Sequence, residues 1–160
     1  MPAPFFVYEE FSYYKEFDME YWDNNKKYVR NELRQTIESI SKMENCWLQY
    51  TEEGQRVIVV ERDGQGYLLN RLQSPDRYAK EIVQEIVDFD EYATIFLFGI
   101  SDGRIANELQ KKMKDSNHLV IYEPSLHVLK LALENFDLSS LLEDSRVFLV
   151  DTIENNQMLI

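Results

Sequence analysis

Thr94-Ile95-Phe96-Leu97-Phe98-Gly99-Ile100-Ser101-Asp102-Gly103-Arg104 decides the fold. Residues 94–98 are apolar at nearly every position, so the run predicts a parallel strand with both faces covered by helices rather than an alternating surface strand. The two glycines break it, and the residues from Asp102 to Lys114 turn helical, with Ile105, Leu109 and Met113 on one face. Lys111, Lys112 and Lys114 complement the dipole at that helix's end. Residues 118–122 and 146–150 are two further short apolar runs, separated by a helix over 125–135 and a helical turn at 138–142. Strands alternating with helices imply right-handed crossovers and one parallel sheet.

Upstream of this unit, Ser74-Pro75-Asp76 reads as a helix start, with serine as cap and proline at the first helical position. Residues 46–51, 56–61 and 67–69 read as three strands joined at Glu53-Gly54 and at Asp63-Gly64-Gln65-Gly66, a small antiparallel meander. Trp22, Val29, Leu33, Ile37 and Ile40 give one helical stripe over residues 23–43. The first 22 residues interleave aromatics (Phe5, Phe6, Tyr8, Phe11, Tyr13, Tyr14, Phe17) with acids, which suits either core closure or a docking arm. The predicted fold class is therefore α/β: a Rossmann-like parallel sheet with helices on both faces, preceded by an N-terminal helix and the meander. Residues 1–70 hold the arm, helix and meander, and residues 71–160 the Rossmann-like unit.

Bulk properties narrow the function classes. The chain has 160 residues, 44% of them hydrophobic, enough for a real core, and a formal net charge of −12. Nucleic acid and anionic membrane surfaces both call for a basic patch, so neither is an expected partner. One cysteine, Cys46, allows no intrachain disulfide and suits the cytoplasm. Beside Trp47 and Leu48 it reads as a buried, inert thiol. One Cys with His118 and His127 assembles no zinc site. No apolar run approaches membrane-spanning length, and the N-terminus lacks a secretory signal pattern. The apolar end Met158-Leu159-Ile160, one step past a strand, is read as continuing into a longer protein.

In open α/β sheets ligands bind beyond the carboxyl ends of the strands. Gly99, Ser101, Asp102, Gly103, Glu123 and Asp151 all fall there and are the candidate ligand-binding residues. A glycine-bearing helix start can hold an anion, and an acid at the tip of the next strand can meet ribose hydroxyls. The Gly-x-Gly-x-x-Gly fingerprint is absent, and the same glycines serve equally well as a tight strand-to-helix turn capped by Ser101 or Asp102. The carboxylates make the crevice acidic, favouring hydroxyl-rich or cationic groups over phosphate. No nucleophile–base pair stands out, so no catalytic residue is assigned.

The order Leu97-Phe98-Gly99-Ile100-Ser101-Asp102-Gly103, then Val120-Ile121-Tyr122-Glu123-Pro124-Ser125, then Asn135-Phe136-Asp137-Leu138 resembles the N-terminal region of the motility accessory factor (Maf) family, bacterial flagellin glycosyltransferases. Leu69-Asn70-Arg71-Leu72-Gln73-Ser74-Pro75 resembles that family's proline-ended segment, although Arg71, Gln73 and Ser74 stand where members commonly carry a serine and a tyrosine or acid. The resemblance implies an accessory Rossmann-like domain, inactive alone. Its parent would transfer a nonulosonic acid from a CMP-activated sugar to Ser or Thr of flagellin through a downstream domain. Implied partners are other domains of the parent chain and flagellin, with a homo-oligomer through the aromatic arm as a further possibility. Two alternatives stay open: a small-molecule or methyltransferase-like domain binding S-adenosylmethionine, and a non-catalytic interaction module.

Overall fold

The computed structural model describes residues 19–152. The expectations for the aromatic arm and the apolar tail fall almost wholly outside them. The predicted α/β class is what the chain adopts, with a three-stranded parallel sheet flanked by helices and a three-stranded antiparallel sheet. The expected helix cover on both faces of the parallel sheet is not met among the described residues, since one face is left largely open.

The N-terminal helical stripe divides in three. Helix α1 (Met19–Asn25) runs into a 3-10 turn (Lys26–Tyr28), and α2 (Asn31–Glu38) starts afresh. The periodicity predicts one continuous helix, and that expectation fails at Val29 and Arg30, whose ψ angles of 134° and 143° are extended. The stripe survives because Trp22, Val29, Leu33 and Ile37 are all buried whichever way the backbone connects them.

The meander is β1 (Cys46–Tyr50), β2 (Arg56–Arg62) and β3 (Gln65–Leu68) in that order. The turn between β2 and β3 is shorter than expected. Asp63 and Gly64 alone form it, both at positive φ (53° and 75°), the two-residue hairpin geometry that matches strand twist. Helix α3 (Pro75–Gln84) follows, then β4 (Thr94–Phe98), α4 (Arg104–Lys112), β5 (His118–Tyr122), α5 (Leu126–Asn135), α6 (Ser139–Glu143) and β6 (Val147–Val150).

Strands β4, β5 and β6 pair in parallel and in chain order, so β5 is the central strand and β4 lies at an edge. Chain order has a geometric consequence. Two right-handed crossovers moving in one direction place their helices on the same face. Leu119 and Ile121 on that face are fully buried. The opposite face holds Phe96 beside Val120 and Phe148, and Phe98 beside Tyr122 and Val150. Among the described residues its cover is poor: Phe96, Phe98 and Phe148 are 51%, 72% and 47% exposed.

Helix α5 is the centre of the packing. It contacts α1, α2, β1 and β2. Val128, Leu129, Leu131, Ala132 and Leu133 are buried around most of its circumference, as a helix enclosed on several sides requires. Ser125 caps it, accepting from the Val128 N–H at 3.2 Å. One apolar cluster joins Cys46 and Ile58 of the meander to Leu119 and Ile121 of the parallel sheet. Cys46 is buried as expected. Burial and the nearby Glu123 charge push its thiol up to about 11, which keeps it protonated and unreactive.

Candidate functional site

The carboxyl ends of β4, β5 and β6 bring the six predicted residues to one edge. Gly99 (φ 88°), Ser101 (φ 50°) and Gly103 (φ 78°) turn the chain from β4 into α4. Glu123 follows β5, and its N–H donates to Val150 O at 3.0 Å, which sets it next to Asp151 at the end of β6. The juxtaposition follows the sequence reading. What the side chains do there does not.

Glu123 is buried and turned inward. Its Oε2 accepts the Ile100 N–H at 3.1 Å and its Oε1 the Ser125 N–H at 2.9 Å. It thus ties the glycine turn of one crossover to the start of the next. Burial raises its pKa, and the two N–H donors only partly offset that. Asp102, 3% exposed, accepts from Asn70 Nδ2 at 2.7 Å and pairs with the Arg104 guanidinium at 2.6 Å. Asp151 pairs with Arg30 at 3.0 Å across the end of the sheet.

Neither residue expected to cap α4 occupies the cap position. Gly103 does, in the left-handed region, while Asp102 Oδ1 accepts the Arg104 N–H from just outside at 3.1 Å. Only glycine fits at 103, since a Cβ there would lie 2.2 Å from Leu138 Cδ2. The Gly103 N–H itself donates to Ile100 O at 2.9 Å. The N–H groups of Ile100, Gly103 and Arg104 are therefore all taken by the protein. Ser74, likewise expected to cap α3 through its hydroxyl, stands at the cap in left-handed geometry (φ 48°) without that bond.

A folded-state titration checks this geometry. Glu123 should ionise above its ordinary value of about 4.3. The folded chain then binds its proton more tightly than the unfolded chain does. Stability should therefore fall as pH rises from about 4 through the raised value, and Glu123→Ala should remove that slope. Carbon-13 NMR of the carboxyl reads it directly. A Glu123 midpoint at or below about 4.3 would contradict the buried, inward placement.

Open space lies beside this edge rather than in it. The Ser101 hydroxyl donates to Leu69 O at 3.2 Å and Asn70 reaches Asp102, fastening the 69–74 loop to the glycine turn. That loop and Tyr78 border a cavity of about 520 Å³, where the Arg71 guanidinium lies 4.2 Å from the Tyr78 ring centroid. Sequence reading passes over Asn70, Arg71 and Tyr78 as site residues. The only signal is that residues 69–78 carry loop and helix-start chemistry, and nothing in the spacing ties them to a turn thirty residues on.

Among the described residues no cluster of His, Cys, Asp and Glu could hold a metal, and no helix is long and apolar enough to cross a membrane. His127 accepts the Glu44 N–H through Nδ1 at 3.2 Å, while His118 is exposed at the start of β5 beside Phe148.

No protein-family model and no curated protein sequence matches the chain. A structural likeness does emerge, to the MAf glycosyltransferase from Magnetospirillum magneticum AMB-1, with a TM-score of 0.57 over 86% of this chain at 13% identity. The chain spans 28% of that protein's length. At this identity the likeness establishes a shared fold, a Maf-like one.

Proposed function

We propose that the chain is an accessory, non-catalytic domain of a Maf-like glycosyltransferase, and that the open face of its parallel sheet docks on the remainder of the parent protein. The observation that carries this is the aromatic face. Phe96, Phe98 and Phe148 stand exposed beside Val120, Tyr122 and Val150 on a sheet whose other face is buried. A contiguous apolar patch of this kind marks an interaction site. A further α/β layer is the natural cover, because a parallel sheet is ordinarily buried on both sides. The 28% span of the similar structure leaves ample chain in such a parent to supply one.

The edge residues support a scaffolding role as well. Glu123, Asp102 and Asp151 are engaged in holding turns and loops, not presented as free acids or bases. Catalysis would belong to the parent's other domain. There a nonulosonic acid would pass from a CMP-activated donor to Ser or Thr of flagellin in the cytoplasm.

The test uses the chain and the polypeptide encoded downstream of it, expressed separately and mixed. They should associate, and Phe98→Asp should weaken association at least about tenfold, the effect of burying an unpaired charge at an interface. Because the side chain is exposed, the same change should alter the chain's own stability by less than about 0.5 kcal/mol. A native reading frame that ends at Ile160 would end the proposal, as would unchanged association in Phe98→Asp.

A further inference from the structure

We infer that the cavity between the 69–74 loop and Tyr78 is a binding site for a small ligand carrying an oxyanion, a carboxylate or phosphate, on an apolar body.

The argument starts from the arginines. Among the described residues, Arg30, Arg62, Arg77, Arg104 and Arg146 each pair with a carboxylate. Arg34 donates to Asn31 Oδ1 and Arg56 to Asn135 O. The Arg71 guanidinium has none of these partners. It lies over the Tyr78 ring, 4.2 Å from the centroid, and among the described residues its N–H fork meets no acceptor. Among the described residues Arg71 is the one arginine with neither a carboxylate nor another oxygen acceptor. A guanidinium fork matches carboxylate and phosphate oxygens in a way that a lysine does not.

The surroundings form an open recess at the surface, with Arg71 and Gln73 exposed. The cavity of about 520 Å³ is walled by Leu68, Leu69 and Leu72, with Arg71, Gln73 and Tyr78 on its polar side. That volume lies within the usual range of about 300–1,000 Å³ for small-molecule sites, and so does the pattern of an apolar wall with few polar groups. A smaller cavity of about 230 Å³ shares Arg71, Gln73 and Tyr78 and continues toward Arg77. Arg77 is neutralised by Glu81 at 2.7 Å, which leaves Arg71 as the cation that faces both.

The loop is held in place before any ligand arrives. Asn70 donates to the buried Asp102, and its Oδ1 accepts the Arg71 N–H at 2.7 Å. Leu69 N donates to Ile58 O at 2.9 Å, and Ser101 Oγ donates to Leu69 O. A site ordered in advance loses little entropy on binding. The site is separate from the crevice of Glu123 and from the open sheet face, so it stands or falls independently of the docking proposal.

The experiment is an NMR titration of the whole 160-residue chain with four probes. Benzoate and phenyl phosphate carry both an anion and an apolar body, inorganic phosphate only the anion, and benzyl alcohol only the body. Benzoate or phenyl phosphate should shift the amides of residues 69–78 saturably. Inorganic phosphate and benzyl alcohol should bind at least about tenfold more weakly, since each loses one half of the recognition. Preference for benzoate would identify a carboxylate ligand, and preference for phenyl phosphate a phosphate ester. Arg71→Gln should weaken binding at least about tenfold and Arg71→Lys by less, while Arg77→Gln should stay within about twofold. Arg71 is exposed, so these variants should keep the wild-type spectrum elsewhere. Equal binding by benzyl alcohol, unchanged binding in Arg71→Gln, shifts centred on residues 99–103 and 123–125, or no saturable shift with any probe would each overturn the inference.

Discussion

Replacing Asp102 by alanine should cost the fold about 3–5 kcal/mol, the range for removing one partner of a buried ion pair. The carboxylate is 1% exposed and the Arg104 side chain 15%, so water cannot take over from either. Three donors converge on Asp102: Asn70 Nδ2, the Arg104 N–H and the Arg104 guanidinium. Burial pulls the Arg104 pKa down, while Asp102 and Asp76 hold it above its ordinary value. The guanidinium stays charged when Asp102 goes because arginine is protonated at any ordinary pH and Asp76 remains beside it. Arg104 would keep Asp76 at 2.6 Å and Arg56 O at 3.1 Å, which argues for the lower half of the range. Asn70, 5% exposed, would lose the acceptor for its amide. Against a total stability of about 5–15 kcal/mol for a domain of this size, this is a large share. Urea unfolding should show the midpoint falling with an unchanged slope. A loss under about 1 kcal/mol would mean that the network is not what fastens the 69–74 loop to the glycine turn.

The parallel strands were legible because their signal is local. Five-residue apolar runs at 94–98 and 118–122, each followed by a helix-length segment, admit few arrangements other than adjacent parallel strands. Asp63-Gly64 within a hairpin turn was legible for the same reason, since a turn constrains the few residues that form it. The open face was not. An apolar strand reads the same whether its second face is covered by this chain or by another, so Phe96 and Phe148 looked like core. The break at Val29 escaped notice because hydrophobic spacing records which residues are buried, not whether the backbone between them is helical.

At the candidate site the same division holds. That Gly99, Glu123 and Asp151 would meet follows from topology alone, because strand ends on one side of a parallel sheet share an edge. Their roles depend on partners far away in the chain. Asp102 beside a glycine looked like a cap or a repeller of phosphate. Its actual partner Asn70 lies 32 residues upstream. Leu138, which makes Gly103 obligatory, lies well downstream in a segment read only as a helical turn.

Asn25 is the extreme case, and its replacement by alanine should cost about 3 kcal/mol or more, since three polar groups depend on it, two of them buried and one half-buried. Nothing in its neighbourhood, Asp23-Asn24-Asn25-Lys26-Lys27, sets it apart from solvated polar residues. In the fold it is fully buried and makes three hydrogen bonds across the chain. Its Nδ2 donates to Leu133 O at 2.8 Å and to Phe136 O at 2.7 Å, and its Oδ1 accepts the Leu138 N–H at 3.0 Å. The side chain thus satisfies the end of α5 and the entry to α6, groups that a helix terminus leaves without intrahelical partners. Alanine would strand two carbonyls and one N–H, each worth about 1–3 kcal/mol when buried without a partner. Entry of water could recover part of this, hence the figure near the bottom of the summed range. An acid in place of the amide offers a sharper comparison. Asn25→Asp keeps the shape and the acceptor but turns a carboxylate toward two carbonyl oxygens. It should be at least as damaging as alanine at neutral pH. Because burial against the carbonyls raises the folded acid's pKa, its cost should shrink as pH falls toward about 4 and be smallest below that, where the acid is protonated folded and unfolded alike. Thermal unfolding of both variants at neutral and acid pH would show this. An Asn25→Ala variant within about 0.5 kcal/mol of the native chain would mean that α1 is not anchored to α5 through this residue.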